Sequence, residues 1–336
     1  MKRFYYLIII ILLITPIISQ AQTITILQQD KPTSIRGLSV VNDKTAWISG
    51  SKGHIAITND GGTTWAWQQI KGYEKADFRD IEAFNDKEAV IMSSGTPAIV
   101  LKTLDGGKTW QEKCRKTDSV YFFDAMDFAD AKHGYILGDP IKNKFLLMET
   151  TDGGETWNEM KNKPDALPGE AAFAASGTCL RVDKGVLYIV SGGKSSRLIS
   201  LKPKEQEWKY ANLPITQGKQ SEGAFSIALG KKEGIIVGGD YANGKKLDSV
   251  ATIHKVHPLL QFVAPQTAPA GFQSGVEYIN SGIFLSTGTT GSNLTTDGGA
   301  NWTQFDVTSF NVCRKAKHGK LVLLAGDKGK IAIFKM

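Results

Sequence analysis

Four carboxylates in the sequence lie where acid–base chemistry could occur. Glu170 and Glu222 form a pair, because the phrase Glu-Ala-Ala-Phe-Ala at 170–174 resembles Glu-Gly-Ala-Phe-Ser at 222–226. Asp139 and Asp240 each follow an apolar run typical of a buried strand. Two carboxyl groups roughly 5 to 10 Å apart can divide into the acid and base of glycoside hydrolysis. These four residues are therefore the candidate catalytic residues of a carbohydrate-active hydrolase.

A second group of residues could bind a polar ligand such as a sugar. Arg36 and Arg79 occupy equivalent places early in two strand-like runs, and Asp124 lies near the matching place in a third. Ser274 matches them in a later run, and Tyr241 directly follows Asp240. Arginines on one side and carboxylates on the other would suit a polar ligand. The alternative is that all these residues are solvated or ion-paired at strand ends.

Metal and cofactor sites are not predicted. Cys114, Cys179 and Cys313 lack Cys-x-x-Cys spacing and lie in separate parts of the chain, so we expect free, buried thiols. The five histidines do not cluster as metal ligands. The sequence contains neither a Gly-x-Gly-x-x-Gly between a strand and a helix nor the Cys-x-x-Cys-His of haem attachment. An oxidoreductase therefore has no support from cofactor motifs.

The elements that must position these side chains are repeats. The phrase Thr-x-Asp-Gly-Gly-x-x-Trp occurs four times, and its first three tryptophans are 45 and 47 residues apart. Glycine supplies the positive φ of a tight hairpin, aspartate accepts hydrogen bonds from turn amides, and tryptophan carries a large apolar area into a seam. We predict structural roles for the aspartates and tryptophans of this phrase: Asp60, Trp65, Asp105, Trp110, Asp152, Trp157, Asp297 and Trp302.

The repeat predicts an all-β, seven-bladed β-propeller over residues 22–336. A period of 40 to 50 residues built from short strands is typical of propeller blades. Seven apolar runs suit the second strand of each blade: 46–50, 89–93, 134–138, 187–191, 234–238, 282–286 and 321–325. The first six blades are expected at 35–70, 77–115, 120–162, 169–215, 222–265 and 271–310. The last unit lacks a fourth strand, so the run 23–28 is expected to pair with 331–336 and close the ring.

The repeated phrase resembles the Asp-box, or bacterial neuraminidase repeat, which in that family is a fold-forming hairpin far from any catalytic centre. Sialidases that carry it also resemble one another in an arginine triad and an early Phe/Tyr-Arg-Ile-Pro phrase. Here the nearest phrase is Ser-Ile-Arg-Gly at 34–37, and the chain after residue 21 has only six arginines with no evident third member of a clamp. A sialidase is therefore disfavoured.

A second resemblance covers nearly the whole chain after residue 21. The phrases at 169–178, 237–241 and 272–276 are similar to those of exported bacterial propellers related to the photosystem II stability and assembly factor. Members of that group are often named oxidoreductase or glycosyl hydrolase. The resemblance implies an assembly scaffold, since the photosynthetic relatives are not catalysts.

The N-terminus indicates export. Lys2 and Arg3 precede an apolar run, and Ser-Gln-Ala at 19–21 is a small-x-small cleavage site, so we predict a signal peptide cleaved after Ala21. The formal charge of +7 falls to +5 without residues 1–21. The lysines are scattered, which disfavours nucleic-acid binding. We thus expect a periplasmic or secreted monomer that binds a protein partner or a glycan on its axial face without membrane insertion, with a hydrolase and an oxidoreductase as alternatives.

Overall fold

The computed structural model describes residues 22–202, 204–255 and 261–336. The predicted signal peptide, residues 1–21, lies outside the described residues. Within them, thirty β-strands form seven sheets. Two short 3₁₀ turns lie at Tyr241–Asn243 and Asp327–Gly329. None of the helical segments in this part of the chain has the length and apolar character needed to span a membrane.

The chain begins with a single strand, β1 (Thr23–Gln28), and then forms the blades in order. Blade 1 contains β2 (Ile35–Val40), β3 (Ala46–Gly50), β4 (His54–Thr58) and β5 (Ala66–Gln69). Blade 2 contains β6 (Asp77–Ala83), β7 (Ala89–Ser94), β8 (Ala98–Thr103) and β9 (Gln111–Lys116). Blade 3 contains β10 (Phe123–Phe128), β11 (Gly134–Ile141), β12 (Lys144–Thr150) and β13 (Asn158–Glu159).

Two short strands, β14 (Glu170–Ala171) and β17 (Gly192–Gly193), flank the start of blade 4. Blade 4 contains β15 (Leu180–Asp183), β16 (Val186–Val190), β18 (Arg197–Leu201) and β19 (Lys209–Asn212). Blade 5 contains β20 (Glu222–Leu229), β21 (Glu233–Asp240), β22 (Ala251–Lys255) and β23 (Gln261–Val263). Blade 6 contains β24 (Gly275–Asn280), β25 (Ile283–Gly288), β26 (Gly291–Thr295) and β27 (Thr303–Asp306). Blade 7 contains β28 (Val312–Lys315), β29 (Val322–Ala325) and β30 (Ile331–Lys335).

The seven-bladed propeller predicted from the repeat is confirmed. Each predicted apolar run falls on the second strand of a blade, and these strands are buried on both faces because neighbouring blades pack against them. The buried clusters lie in the seams between blades. One cluster joins blades 1 and 2 through Trp47 and Phe78, both fully buried.

The predicted closure of the ring is also confirmed. Strand β1 pairs antiparallel with β30, so that Thr23 lies opposite Lys335 and Ile26 opposite Ala332. The resulting sheet has the order β1, β30, β29, β28. Blade 7 is therefore completed by the N-terminal strand, which covers the edge of β30.

The four Asp-Gly-Gly turns share one hydrogen-bond pattern. In the first, Thr58 Oγ1 donates to Asp60 Oδ1 at 2.8 Å and accepts from the Gly62 amide at 2.9 Å. Asp60 also accepts from the amide and hydroxyl of Thr64, at 2.9 and 2.6 Å. Trp65 Nε1 donates to the Gly62 carbonyl at 3.0 Å, whereas Trp157 Nε1 in the third turn has no partner among the described residues. Both turn glycines have positive φ, which explains the Gly-Gly pair.

The acid stability of the protein is expected to depend on these turns. Hydrogen bonds from the threonine two residues after each glycine pair, Thr64, Thr109 or Thr156, lower the pKa of Asp60, Asp105 and Asp152 to about 2. An aspartate with a lowered pKa stabilises the fold above its ordinary value near 4, and this stabilisation is lost as the pH falls from about 4 to about 2.

Replacing the three donor threonines, as Thr64→Val, Thr109→Val and Thr156→Val in one protein, should make the loss of stability below pH 4 shallower than in the wild type. Urea unfolding at pH 5, 4, 3 and 2.5 measures it. Every other carboxylate is shared by the two proteins and serves as the internal control. Parallel stability curves for the two proteins would contradict the assignment.

One predicted blade boundary is wrong. Blade 4 is predicted to begin at Gly169, but its inner strand is β15, which begins at Leu180. Instead, β14 pairs with β17, which in turn pairs with β20 of blade 5. The resemblance between 170–174 and 222–226 therefore does not reflect equivalent inner strands.

Candidate functional site

Four inner strands carry a β-bulge at the same position. In β2, Ile35 and Gly37 pair with consecutive residues of β3, so Arg36 is the extra residue. By the same criterion, Arg79, Asp124 and Phe225 are the extra residues of β6, β10 and β20. A bulge redirects the side chain of its extra residue. It explains why the aligned residues of several blades converge on one end of the central channel.

At that end, residues 172–178 cross the channel and contact other blades; we call them the axial segment. Arg79 Nη1 donates to the Ala174 carbonyl at 3.3 Å, and Arg36 Nη1 donates to the Ala175 carbonyl at 3.2 Å. The segment leaves the channel at Thr178, whose carbonyl accepts from the Ile227 amide at 3.0 Å. This end of the channel is therefore closed by the chain itself, and we call it the closed end.

The predicted ligand-binding arginines thus bind the protein backbone. Arg79 also pairs with Asp77 at 2.7 Å. Burial lowers the pKa of Arg36, and the neighbouring Arg79 lowers it further. Ser274 is buried, donates to the Asn311 carbonyl at 2.8 Å and accepts at its own carbonyl from Ser176. Ser274 therefore has an internal partner.

Two acidic side chains face the axial segment from blade 3. Asp124 is buried, and neither of its carboxylate oxygens has a hydrogen-bond partner among the described residues. Burial raises the pKa of Asp124 well above its ordinary value, and the negative charge of Asp139 raises it further. Asp139 accepts from the Ala172 amide at 3.3 Å, and burial raises its pKa as well.

The other three candidate acids also lie at or near the closed end, each with a partner. Glu170 is buried in a bidentate pair with Arg197, at 2.8 and 2.6 Å. Glu222 and Asp240 lie opposite each other on β20 and β21. Lys219 Nζ is 3.5 Å from Glu222 and 4.0 Å from Asp240. Each of these three carboxylates therefore lies beside a cation, Glu170 beside Arg197 and the other two beside Lys219.

Tyr241 belongs to an aromatic cluster at the closed end. Phe173 of the axial segment stacks on the bulged Phe225 with ring centroids 3.8 Å apart. Tyr241 packs edge-on against both rings, at 6.4 and 6.2 Å, and is 54% exposed. Among the predicted ligand-binding residues, Tyr241 is the one that presents a large free surface.

The opposite end of the channel is open, and sequence reasoning missed it. A cavity of about 410 Å³ lies between the second halves of the inner strands. Its wall carries both acidic and basic side chains, together with apolar residues such as Met126 and Phe128. The charged residues are Asp80, Glu82, Asp127, Arg181, Asp183, Glu277, Arg314, Lys315 and Lys317.

Two arginines in this open cavity are sparsely hydrogen-bonded. Arg181 Nη2 donates to Glu277 at 3.3 Å, and Arg314 donates to the carbonyls of Leu38 and Ser176, each at 3.3 Å. Arg314 Nη1 has no hydrogen-bond partner within the described ranges and lies 3.9 Å from Glu277. Two guanidinium groups offer about ten N–H donors, of which these hydrogen bonds use three. Arg181 Nη1 also forms a longer ion pair, 3.8 Å from Asp127.

Two acidic side chains of the open cavity, Asp80 and Asp127, accept short hydrogen bonds from backbone amides. Asp80 accepts from the amides of Ile81 and Met126 at 2.9 and 2.8 Å, and Asp127 accepts from the Val182 amide at 2.6 Å. Burial raises the pKa of Asp80 to about 7, although Arg314 and the two amides oppose the shift. These carboxylates therefore connect β6 to β10 and β10 to β15.

The thiols and metal-binding residue types form no site in the described part of the chain. All three cysteines are free; Cys179 and Cys313 are buried, whereas Cys114 is only partly buried, unlike the prediction. Across the described ranges, no three His, Cys, Asp or Glu side chains are grouped as metal ligands.

Comparison with known proteins gives a family resemblance and a fold. The family profile described as "Photosynthesis system II assembly factor YCF48" matches residues 19–116. A structure of YCF48 bound to D1 peptide shares 17% identity and a TM-score of 0.67, covering 94% of this chain and 97% of its own. YCF48 from Cyanidioschyzon merolae shares 14% identity and a TM-score of 0.64, covering 93% and 98%.

The same fold occurs in an enzyme. Virginiamycin B lyase from Staphylococcus aureus shares 12% identity and a TM-score of 0.67, covering 94% of this chain and 100% of its own. No curated protein sequence matches the chain. The chain is therefore a seven-bladed β-propeller that resembles the photosystem II assembly factors of the YCF48 type.

Proposed function

We propose that the protein is an exported binding scaffold that holds an extended segment of a partner protein at the open end of its channel. The sparsely bonded Arg181 and Arg314 carry this proposal. Buried polar groups are normally hydrogen-bonded, and a polypeptide supplies many carbonyl acceptors at regular spacing. The relative that was solved bound to D1 peptide supports a protein partner for this kind of propeller.

The distribution of acids favours binding over hydrolysis. Glu170, Glu222 and Asp240 lie beside cations, and Asp139 accepts from a backbone amide. At the open end, Asp80 and Asp127 accept hydrogen bonds from backbone amides of the neighbouring inner strand. A glycosidase needs two carboxyl groups facing each other across a substrate pocket. A glycan ligand and an oxidoreductase remain alternatives without a specific contact in their favour.

A photo-crosslinking experiment tests the proposal. A benzoylphenylalanine at position 183, which lines the open cavity, is compared with one at position 241 of the closed end. We expect a discrete protein adduct in the exported fraction from position 183, and its loss when Arg181→Gln is added. Thermal unfolding confirms that each variant is folded.

An adduct formed only from position 241 would contradict an open-end site. Absence of any protein adduct, together with binding to a glycan array that Arg181→Gln abolishes, would replace the protein partner by a glycan.

A further inference from the structure

A groove between blades 6 and 7 continues the open end outward. It has a volume of about 650 Å³ and shares Lys315 with the open cavity at the end of the channel. Its other walls are Ile279 and Asn280, where β24 ends, and Leu321 and Val322, where β29 begins. The groove and the open cavity therefore meet at Lys315, near the end of the inner strand β28. We call the groove between blades 6 and 7 the radial groove.

The floor of the radial groove is apolar. Ile279 and Phe334 are buried there, Leu321 and Ile333 are partly exposed, and Met336 is 42% exposed. Exposed apolar surface inside a concave site favours binding, since water is displaced when a ligand covers it. The volume falls within the range of roughly 300–1,000 Å³ typical of ligand pockets.

The rim of the radial groove is positively charged. Lys315, Lys320 and Lys335 line it, whereas Asp43 is its one acidic residue within the described part of the chain. Asp43 is already engaged, because Oδ1 accepts from the amides of Lys320 and Leu321 at 2.5 and 2.7 Å. These two hydrogen bonds lower the pKa of Asp43, which keeps it ionised and fixed in the turn.

We infer that the radial groove binds a stretch of the partner protein in which apolar residues are interspersed with acidic ones. The apolar side chains lie on the floor between Ile279 and Phe334, and the carboxylates meet Lys315, Lys320 and Lys335. The inference rests on the proposed scaffold function, because the same segment of the partner then continues past Lys315 into the open cavity. Charge complementarity between rim and ligand supplies specificity, and the apolar floor supplies most of the affinity.

Fluorescence anisotropy with defined peptides tests this. The probe is a fluorescein-labelled nonapeptide that alternates leucine with aspartate, and the control peptide alternates leucine with lysine. We expect the acidic peptide to bind the purified protein and the basic one to bind at least about tenfold more weakly. Reversing the rim charges with Lys320→Glu and Lys335→Glu should weaken binding of the acidic peptide by at least about tenfold. The matched control, Lys108→Glu with Lys132→Glu, reverses two exposed lysines on blades 2 and 3 and should leave binding unchanged.

Three results would overturn the inference: no binding of the acidic peptide, equal binding of both peptides, or equal binding by the rim-reversed and wild-type proteins. Laurate is added as a competitor. If laurate displaces the peptide and binds the groove more tightly, the site belongs to an acyl chain instead. None of these results affects the crosslink from position 183, so failure of the groove and failure of the scaffold are distinguished.

Discussion

A protein that lacks residues 22–28, and with them β1, is expected to lose at least about 2 kcal/mol of stability and to associate through the exposed strand β30. Ile24 and Leu27 are each half-buried, and a fully buried aliphatic side chain of this size contributes ~1.5–3 kcal/mol. Chemical denaturation measures the free energy of unfolding, and size-exclusion chromatography measures the association.

The position of β1 explains why its loss should affect the whole ring. Leu27 packs against the cluster that joins blades 7 and 1, whereas Ile24 packs against the cluster that joins blades 6 and 7. The strand also forms the backbone pairing along β30. Without it, β30 becomes an unpaired edge, which is a template for pairing with another chain.

A synthetic peptide with the sequence of residues 22–29 provides the decisive control. Added to the truncated protein, it should restore both the monomer and most of the lost stability, because it can occupy the vacated edge of β30. The substitution Thr25→Ala, at an exposed position of β1, should have little effect on the intact protein. A truncated protein that stays monomeric with unchanged stability would refute the role of β1 in closure.

The fold was predictable from the sequence because its signals are local. An Asp-Gly-Gly turn, the tryptophan after it and the apolar second strand all lie within one repeat, and the turn hydrogen bonds join residues two to four apart. Ring closure followed from counting strands at the two ends of the chain. Blade 4 was misplaced because 170–174 resembles the start of β20, although β14 and β17 extend the sheet of blade 5.

The closed end was only partly predictable. Alignment of inner strands brought Arg36, Arg79 and Asp124 to one place, and the bulges explain that correspondence. The axial segment could not be foreseen, because it bonds to arginines 139 and 95 residues away in the chain. Arg36 and Arg79, which were expected to meet a ligand, therefore bind the backbone of their own protein.

The open end left a weak signal in the sequence. Asp80 follows the bulged Arg79 and Asp127 lies in the same strand as Asp124, so each belongs to an inner strand that had already been identified. Successive side chains of a strand point to opposite faces, and one inner strand carries both residues of the closed end and residues of the open end. Their partners, Arg181 and Arg314, come from blades 4 and 7, and only the closed ring brings them to one cavity.

The buried pair of Glu170 and Arg197 gives the second large expected effect. Arg197→Met should destabilise the protein by about 3–5 kcal/mol, because it leaves the carboxylate of Glu170 buried without its cation. Ser191 Oγ and the Leu167 amide would still donate to Glu170, yet neither carries a positive charge. Urea unfolding measures the loss.

The double variant Glu170→Met, Arg197→Met separates a structural role from a catalytic one. Replacing both members of a buried pair with apolar residues of similar volume is often close to neutral, so most of the stability lost in Arg197→Met should return. Arg197 also donates to the Asp165 carbonyl at 2.7 Å and stacks on Tyr210, and loss of these contacts limits the recovery.

The same double variant decides between scaffold and hydrolase. If Glu170 serves the fold, the double variant should still form the protein adduct from position 183, because the open cavity lies at the other end of the channel. If Glu170 were a catalytic acid, the double variant would be stable yet would lose an activity that the wild type shows towards a carbohydrate. A change in stability below about 1 kcal/mol for Arg197→Met would mean that the pair is not buried as described and would reopen Glu170 as a candidate acid.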